Sequence, residues 1–259
     1  DVEAGDETSK GNQYVWVPVG NVKTNTSGDA KKINLGRYEF ETNTEGVIEQ
    51  SADNYTSTVT INSYYQELVS SSYGNTVAKN LGDFITKAKN AGGYYIGRYE
   101  AGKVNGNENK FYVKKNQTVY DNITQPFAST IAKNLYNENN NFQSDLINSY
   151  AWDTAIMYIH TFSGDVDYSK QSGMNTIATL QQTGTSILST DNELDKRCNI
   201  YDMAGSAYEW TTETCTYTGN PCSARGGRYN HESHNTAGRG YNTTEYTNMN
   251  LSFRSIIYL

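Results

Sequence analysis

Cysteine, proline and histidine each occur only three times in this chain of 259 residues. The scarcity closes several routes. Cys198, Cys215 and Cys222 form no CxxC pair, so a structural zinc site of the usual spacing is not expected. His160, His231 and His234 make no H-E-x-x-H motif, and neither a G-x-S-x-G elbow nor a Walker-type glycine loop occurs. No run of 18 or more apolar residues is present, so no transmembrane helix is expected. Basic residues number 21 against 28 acidic ones and form no stripe. Phosphate binding needs clustered Lys and Arg to release counterions, so nucleic acid is not an expected partner. No signal peptide is evident. The chain starts at Asp1 without a Met, and residues 1–13 are expected to be a tail left by a trimmed anchor region.

What is abundant is Tyr, at 22, and Asn, at about 30. Aromatics make up 12% of the chain and each buries a large area, which argues for a packed fold over disorder. The length suffices for a real core, and no linker splits it convincingly, so 14–259 reads as a single domain.

Strand patterns appear at Tyr14–Val19, Ile33–Phe40, Thr58–Ile61 and Tyr94–Tyr99. Apolar residues at helical spacing predict helices over Asn75–Asn90, over Pro126–Tyr136 and over Ser144–Thr161. Gly92 suits the left-handed C-cap of the first, and Pro126 the opening turn of the second. Residues 103–118 read as a polar loop or hairpin, 137–141 as low-complexity linker and 163–196 as a long polar stretch. The last eighty residues read as short strands and turns. Gly-Arg-Tyr-Glu occurs at Gly36–Glu39 and Gly97–Glu100, which we read as two strands of similar context. The sum is an α+β fold rich in irregular connections. Cys215 and Cys222, separated by a Gly-Asn-Pro turn, suit either a small disulfide loop or free thiols with Cys198 buried.

Four phrases stand out in order along the chain: Tyr14-Val15-Trp16-Val17-Pro18-Val19, Gly92 to Glu100, Pro126-Phe127 and Ser149 to Ala155. Together they resemble the formylglycine-generating-enzyme-like (sulfatase-modifying-factor) domains. The most specific is Asn199-Ile200-Tyr201-Asp202-Met203-Ala204-Gly205-Ser206-Ala207-Tyr208-Glu209-Trp210-Thr211, similar to the family's N-x-x-D-M-x-G-N-V-W-E-W-T. Arg225-Gly226-Gly227 and Ser252-Phe253-Arg254 resemble its closing motifs. The resemblance implies a C-type lectin-like fold with two main helices and short antiparallel sheets. It does not extend to the oxidase chemistry. The final motif ends in Ser255 where oxidase members have a cysteine, and Cys215 and Cys222 precede Arg225. A formylglycine-generating or non-heme iron oxidase is the alternative reading, but three sparse histidines barely permit an iron site, and no catalytic residue is expected. The resemblance also implies a structural Ca²⁺ held by Asp202, Gly205, Ala207 and Glu209, a tight loop of hard oxygen ligands. The competing reading closes that loop by hydrogen bonds, with Glu209 in a salt bridge.

Between Arg228 and Asn250, Tyr, Asn, His, Ser and Thr become most of the vocabulary. This resembles the variable region of diversity-generating retroelement target proteins, where randomised adenines in Asn-type codons yield this set. Expected ligand-binding positions are Arg228, Asn230, His231, Ser233, His234, Asn235, Tyr241, Asn242, Thr243, Tyr246, Thr247, Asn248 and Asn250. Tyr supplies rigid contact area at small entropic cost, and Asn and Ser adapt their hydrogen bonds. The expected partner is an external protein or glycan, and the expected location is the surface of a bacterium or a phage particle. Sequons at Asn25, Asn54, Asn116, Asn122, Asn242 and Asn250 follow from the same Asn and Thr bias.

Overall fold

The computed structural model describes residues 11–23, 30–40, 47–51, 60–61, 64–136, 141–172, 193–231 and 234–259. Ser233 therefore lies outside the described residues, as does most of the polar stretch after Ser163 and all but the end of the expected tail. Asn12 is buried, and its Oδ1 accepts from the Val113 backbone N–H at 2.8 Å.

Three α-helices occur among the described residues. Helix α1 spans Leu81–Ala91 and buries Leu81, Phe84, Ile85 and Ala88. It starts six residues after the expected Asn75, because the Asn80 side chain caps Asp83 N–H and Asn75 is drawn away by Thr214. Gly92, at φ 76°, ends it in the left-handed conformation that glycine adopts without strain. Helix α2 spans Gln125–Asn134, capped by Thr124 with Pro126 in its first turn. Helix α3 spans Ser149–Ser163, with Asn148 accepting from Ala151 N–H. The expected start at Ser144 is corrected: Gln143–Leu146 is a strand paired with Ser255–Tyr258. A buried strand and a buried helix turn look alike over four residues, and the pairing decides between them.

One sheet runs Tyr14–Pro18, Gly93–Gly97, Ser255–Tyr258, Gln143–Leu146, antiparallel throughout. Its Val15, Val17, Tyr94, Ile96 and Ile256 share a core with α1 and α3. A second sheet runs Arg239–Asn242, Cys222–Arg225, Tyr208–Cys215, Tyr65–Gln66, Thr60–Ile61, with Leu251–Phe253 parallel to Tyr208–Trp210. Ala128, Ile131 and Ala132 of α2 join its Trp210, Ala224 and Phe253 in the other core cluster. The fold is α+β with several short, mainly antiparallel sheets.

Two strand expectations change. Ile33–Phe40 breaks into Ala30–Ile33 and Gly36–Glu39, which pair with different partners. Of the two Gly-Arg-Tyr-Glu copies only the first is a strand; in the second, Gly97 ends a strand and Arg98–Glu100 leave the sheet. Residues Gly102–Lys103 and Phe111–Tyr112 form the hairpin anticipated within 103–118. Among the described residues no helix is long and apolar enough to cross a membrane.

Candidate functional site

The segment 228–250 leaves the sheet after Cys222–Arg225, returns as the edge strand Arg239–Asn242, and enters Leu251–Phe253. What precedes and follows it is buried. Arg225 donates from Nε to the Gly238 carbonyl at 3.1 Å and from its Nη2 to Asp153 Oδ1 at 2.5 Å. Arg239 donates to both Glu213 oxygens at 3.2 Å and to Asp153 Oδ2 at 2.8 Å, and Arg37 reaches Glu213 at 2.5 Å. Three guanidiniums thus share two carboxylates. Burial alone raises a carboxyl, but here Arg239, Arg225 and Arg37 outweigh it and hold Glu213 down to about 2.

Hydrogen bonds to its backbone fix the middle of the segment to the rest of the fold. Trp152 Nε1 donates to Thr236 O at 2.9 Å, Thr236 N–H to Gln171 O at 2.9 Å and Ala237 N–H to Ser169 O at 3.0 Å. Gly227 packs so tightly on the turn at Ala204 that a Cβ would stand 1.9 Å from the Ala204 carbonyl oxygen. Gly226, at φ 89°, would meet Met203 O at 2.8 Å. Glycine is required there by close approach and by backbone angle.

Above this frame lies an open cavity of about 350 Å³. It is lined by seven expected positions: Arg228, His234, Tyr241, Asn242, Tyr246, Asn248 and Asn250. Tyr208, Arg239, Gly240 and Leu251 complete the lining. Tyr208 forms an aromatic wall: the Arg228 guanidinium sits 5.3 Å from its ring centre and the His234 ring 4.6 Å away. Tyr241 and Tyr246 are exposed at the rim, and Tyr217 lies 6.1 Å from Tyr241.

The remaining expected positions lie elsewhere. Thr247 lines a neighbouring cavity of about 530 Å³ beside Lys103, Tyr120 and Phe127. Asn230 and Thr243 are exposed, and Asn235 closes a turn by accepting from Gly238 N–H. His231 stacks on His234 with centres 4.0 Å apart and planes 12° apart. Stacking keeps the nitrogen lone pairs of the two rings in separate, nearly parallel planes, which does not suit two ligands of one ion. Tyr208 and Arg239 were not anticipated. Tyr208 stands at the first tryptophan position of the N-x-x-D-M-x-G-N-V-W-E-W-T pattern, and Arg239 becomes part of the site only through its contacts in the folded chain.

Asp202, Gly205 and Ala207 lie in the turn before the strand Tyr208–Cys215, which holds Glu209, and the backbone is left-handed at Asp202 and Ser206. Several of its donors are engaged within the protein. Asp195 accepts from Ala204 N–H and Tyr168 Oη, and Glu100 accepts from Ala207 N–H and Ser206 Oγ. Burial, then the nearby Glu209, raises Glu100 well above the usual carboxylate range. Both Glu209 oxygens accept from Arg254, at 2.6 and 2.9 Å, while Arg254 also donates to Gly97 O and Tyr201 O. As a fit for calcium this is partial: the carbonyl positions share the loop, but Glu209 already faces a cation.

Among the described residues no three His, Cys, Asp or Glu side chains group to hold a metal. All three cysteines are free thiols, so the disulfide alternative for Cys215 and Cys222 does not form here. Both are buried in adjoining strands, whereas Cys198 is only half-buried, contrary to expectation. Burial pushes Cys198 up to about 11 and Cys222 up to about 12.

No family model matches the chain, and no curated protein matches it. Among solved structures, one described as the crystal structure of CarF is similar at 16% identity, over 54% of this chain and 67% of that chain, with a TM-score of 0.39. A likeness of that size carries no argument about fold or activity.

Proposed function

We propose that this is a non-enzymatic ligand-binding protein of a bacterial or phage surface. In this reading it presents residues 228–250, diversified by a retroelement, on a C-type lectin-like scaffold of the formylglycine-generating-enzyme type. One observation carries the reading: seven residues singled out by composition and by the variable-region resemblance line a single cavity on a buried frame. Residues free to vary need a surface whose variation does not disturb the core, and Arg225-Gly226-Gly227 and Phe253-Arg254 supply that separation. The thiols add support against the oxidase alternative, since a nucleophilic or metal-binding cysteine needs an accessible, low-pKa thiolate.

Sequencing the locus across many isolates tests the diversification. The expected outcome is near-identical copies differing at Asn-type codons between 228 and 250, with a template repeat and a reverse transcriptase nearby. An invariant locus without a template would sink that part of the proposal.

Calcium at Asp202, Gly205, Ala207 and Glu209 belongs to the same reading, with one condition. An ion there must share Glu209 with Arg254. Thermal unfolding in calcium and in chelator decides: a higher Tm with calcium supports the ion, because a ligand that binds only the folded state stabilises it. Identical curves leave Arg254 as the cation of this loop.

A further inference from the structure

Four polar atoms of residues lining the 350 Å³ cavity are buried without a hydrogen-bond partner among the described residues. They are the Tyr208 hydroxyl, Arg228 Nε, His234 Nδ1 and Asn250 Oδ1. Buried polar atoms are nearly always partnered, because an unmade bond leaves the desolvation of that atom uncompensated. Other such atoms are dispersed through the molecule; these four belong to side chains that line one open cavity. Lining side chains that hold unanswered donors and acceptors suit a polar ligand.

Charge narrows the class. The chain carries a net −7, yet among the described residues this lining holds two arginines and no carboxylate. Arg239 is already neutralised by Asp153 and Glu213. Arg228 has no carboxylate partner among the described residues and rests over the Tyr208 ring. Burial holds His234 down to about 4, so it is uncharged at neutral pH and able to donate or accept. Arg228 Nε–H and Tyr208 O–H are donors suited to a carboxylate. Asn250 Oδ1 is an acceptor that a carboxylate cannot satisfy and a hydroxyl can. The exposed Tyr241 and Tyr246 offer flat apolar surface to the body of a ring.

Building on the binding function proposed above, we propose that this copy of the protein binds a carboxylated sugar of hexuronate type in this cavity. The carboxylate meets Arg228 and Tyr208, and ring hydroxyls meet Asn250 and Asn242. An acidic peptide would satisfy the arginine but supplies no set of adjacent hydroxyls for the two asparagines, so the sugar is favoured.

The test is calorimetric titration of the full chain with glucuronate, glucose and N-acetylglutamate. Glucuronate is expected to bind at least about tenfold more tightly than glucose, the lower end of what one charge-assisted bond contributes. Arg228→Gln is expected to abolish that preference with the thermal unfolding curve unchanged, and Asn250→Ala to weaken both sugars alike. Equal binding of glucose and glucuronate, or a preference that survives Arg228→Gln, overturns the proposal. N-acetylglutamate binding as tightly as glucuronate overturns its sugar part in favour of an acidic peptide. The broader reading has its own readout. If no probe binds, but a partner selected from a protein library is lost on Tyr241→Ala, the sugar assignment fails and the binding function stands. If library selection also yields no partner sensitive to Tyr241→Ala, both fail.

Discussion

Glu213 illustrates what single residues do in this protein. It is fully buried, faces Arg37, Arg225 and Arg239, and lies beneath the cavity floor through Arg239. A buried ion cluster adds little over a well-packed apolar core, but removing one partner leaves charge without compensation, at about 3–5 kcal/mol. Glu213→Gln is therefore expected to lower Tm by on the order of 10 °C. Differential scanning calorimetry checks this, and a change of a degree or two would contradict the network's importance. Tyr241 is the opposite case. It is exposed at the rim, so its truncation is expected to leave Tm within a degree or so. Neither role follows from residue type: Tyr208 and Tyr241 are both tyrosines, yet one walls the cavity and the other edges it.

Helix α3 shows how elements are placed. Its Tyr150, Trp152, Ala155, Ile156 and Ile159 are buried on several sides, so the sequence pattern marks its interior better than its start. Asn148 makes that start explicit by accepting from Ala151 N–H. Glu67 adds a carboxylate that accepts from Ser149 N–H and Oγ at 2.7 Å, beside the positive end of the helix dipole. Asn148→Ala is expected to cost about 1 kcal/mol, read from urea unfolding at constant m. The helix interior was legible from spacing, whereas the boundary at Asn148 depended on Gln143–Leu146 finding Ser255–Tyr258 across more than a hundred residues. The Arg225-Gly226-Gly227 turn is similar. Its glycines were visible, but the reason for them, the Ala204 carbonyl, belongs to another part of the chain.

At the scale of the whole molecule, buried carboxylates set the pH response. Burial raises Glu67 to about 7, offset only in part by Thr212 and Ser149, and raises Asp145 to about 6. Such groups bind protons more readily in the folded state, so stability falls as pH rises from the ordinary carboxylate range toward about 7. Glu213, held down to about 2, acts in the other direction: its contribution is present above the ordinary range and lost as pH falls toward about 2. His160 and His234, each held down to about 4 by burial, act against the raised carboxylates, since their contribution grows as pH rises from about 4 to 6.5. The carboxylate effect is therefore read by difference: in unfolding free energies measured from pH 3 to 8, Glu67→Gln is expected to remove a contribution that falls between about 4.5 and 7. A pH dependence unchanged by Glu67→Gln would contradict the raised Glu67 carboxyl.

By itself the sequence determined the α+β class, the approximate course of the helices and the segment whose polar vocabulary singles it out. These depend on local spacing and composition, which a chain carries before it folds. Only the tertiary structure decided that seven of those polar residues share one cavity, that Tyr208 and Arg239 join them, and that Glu209 belongs to Arg254. Each of these is a contact between distant positions, set by strand pairing and by the requirement that buried charge and backbone find partners.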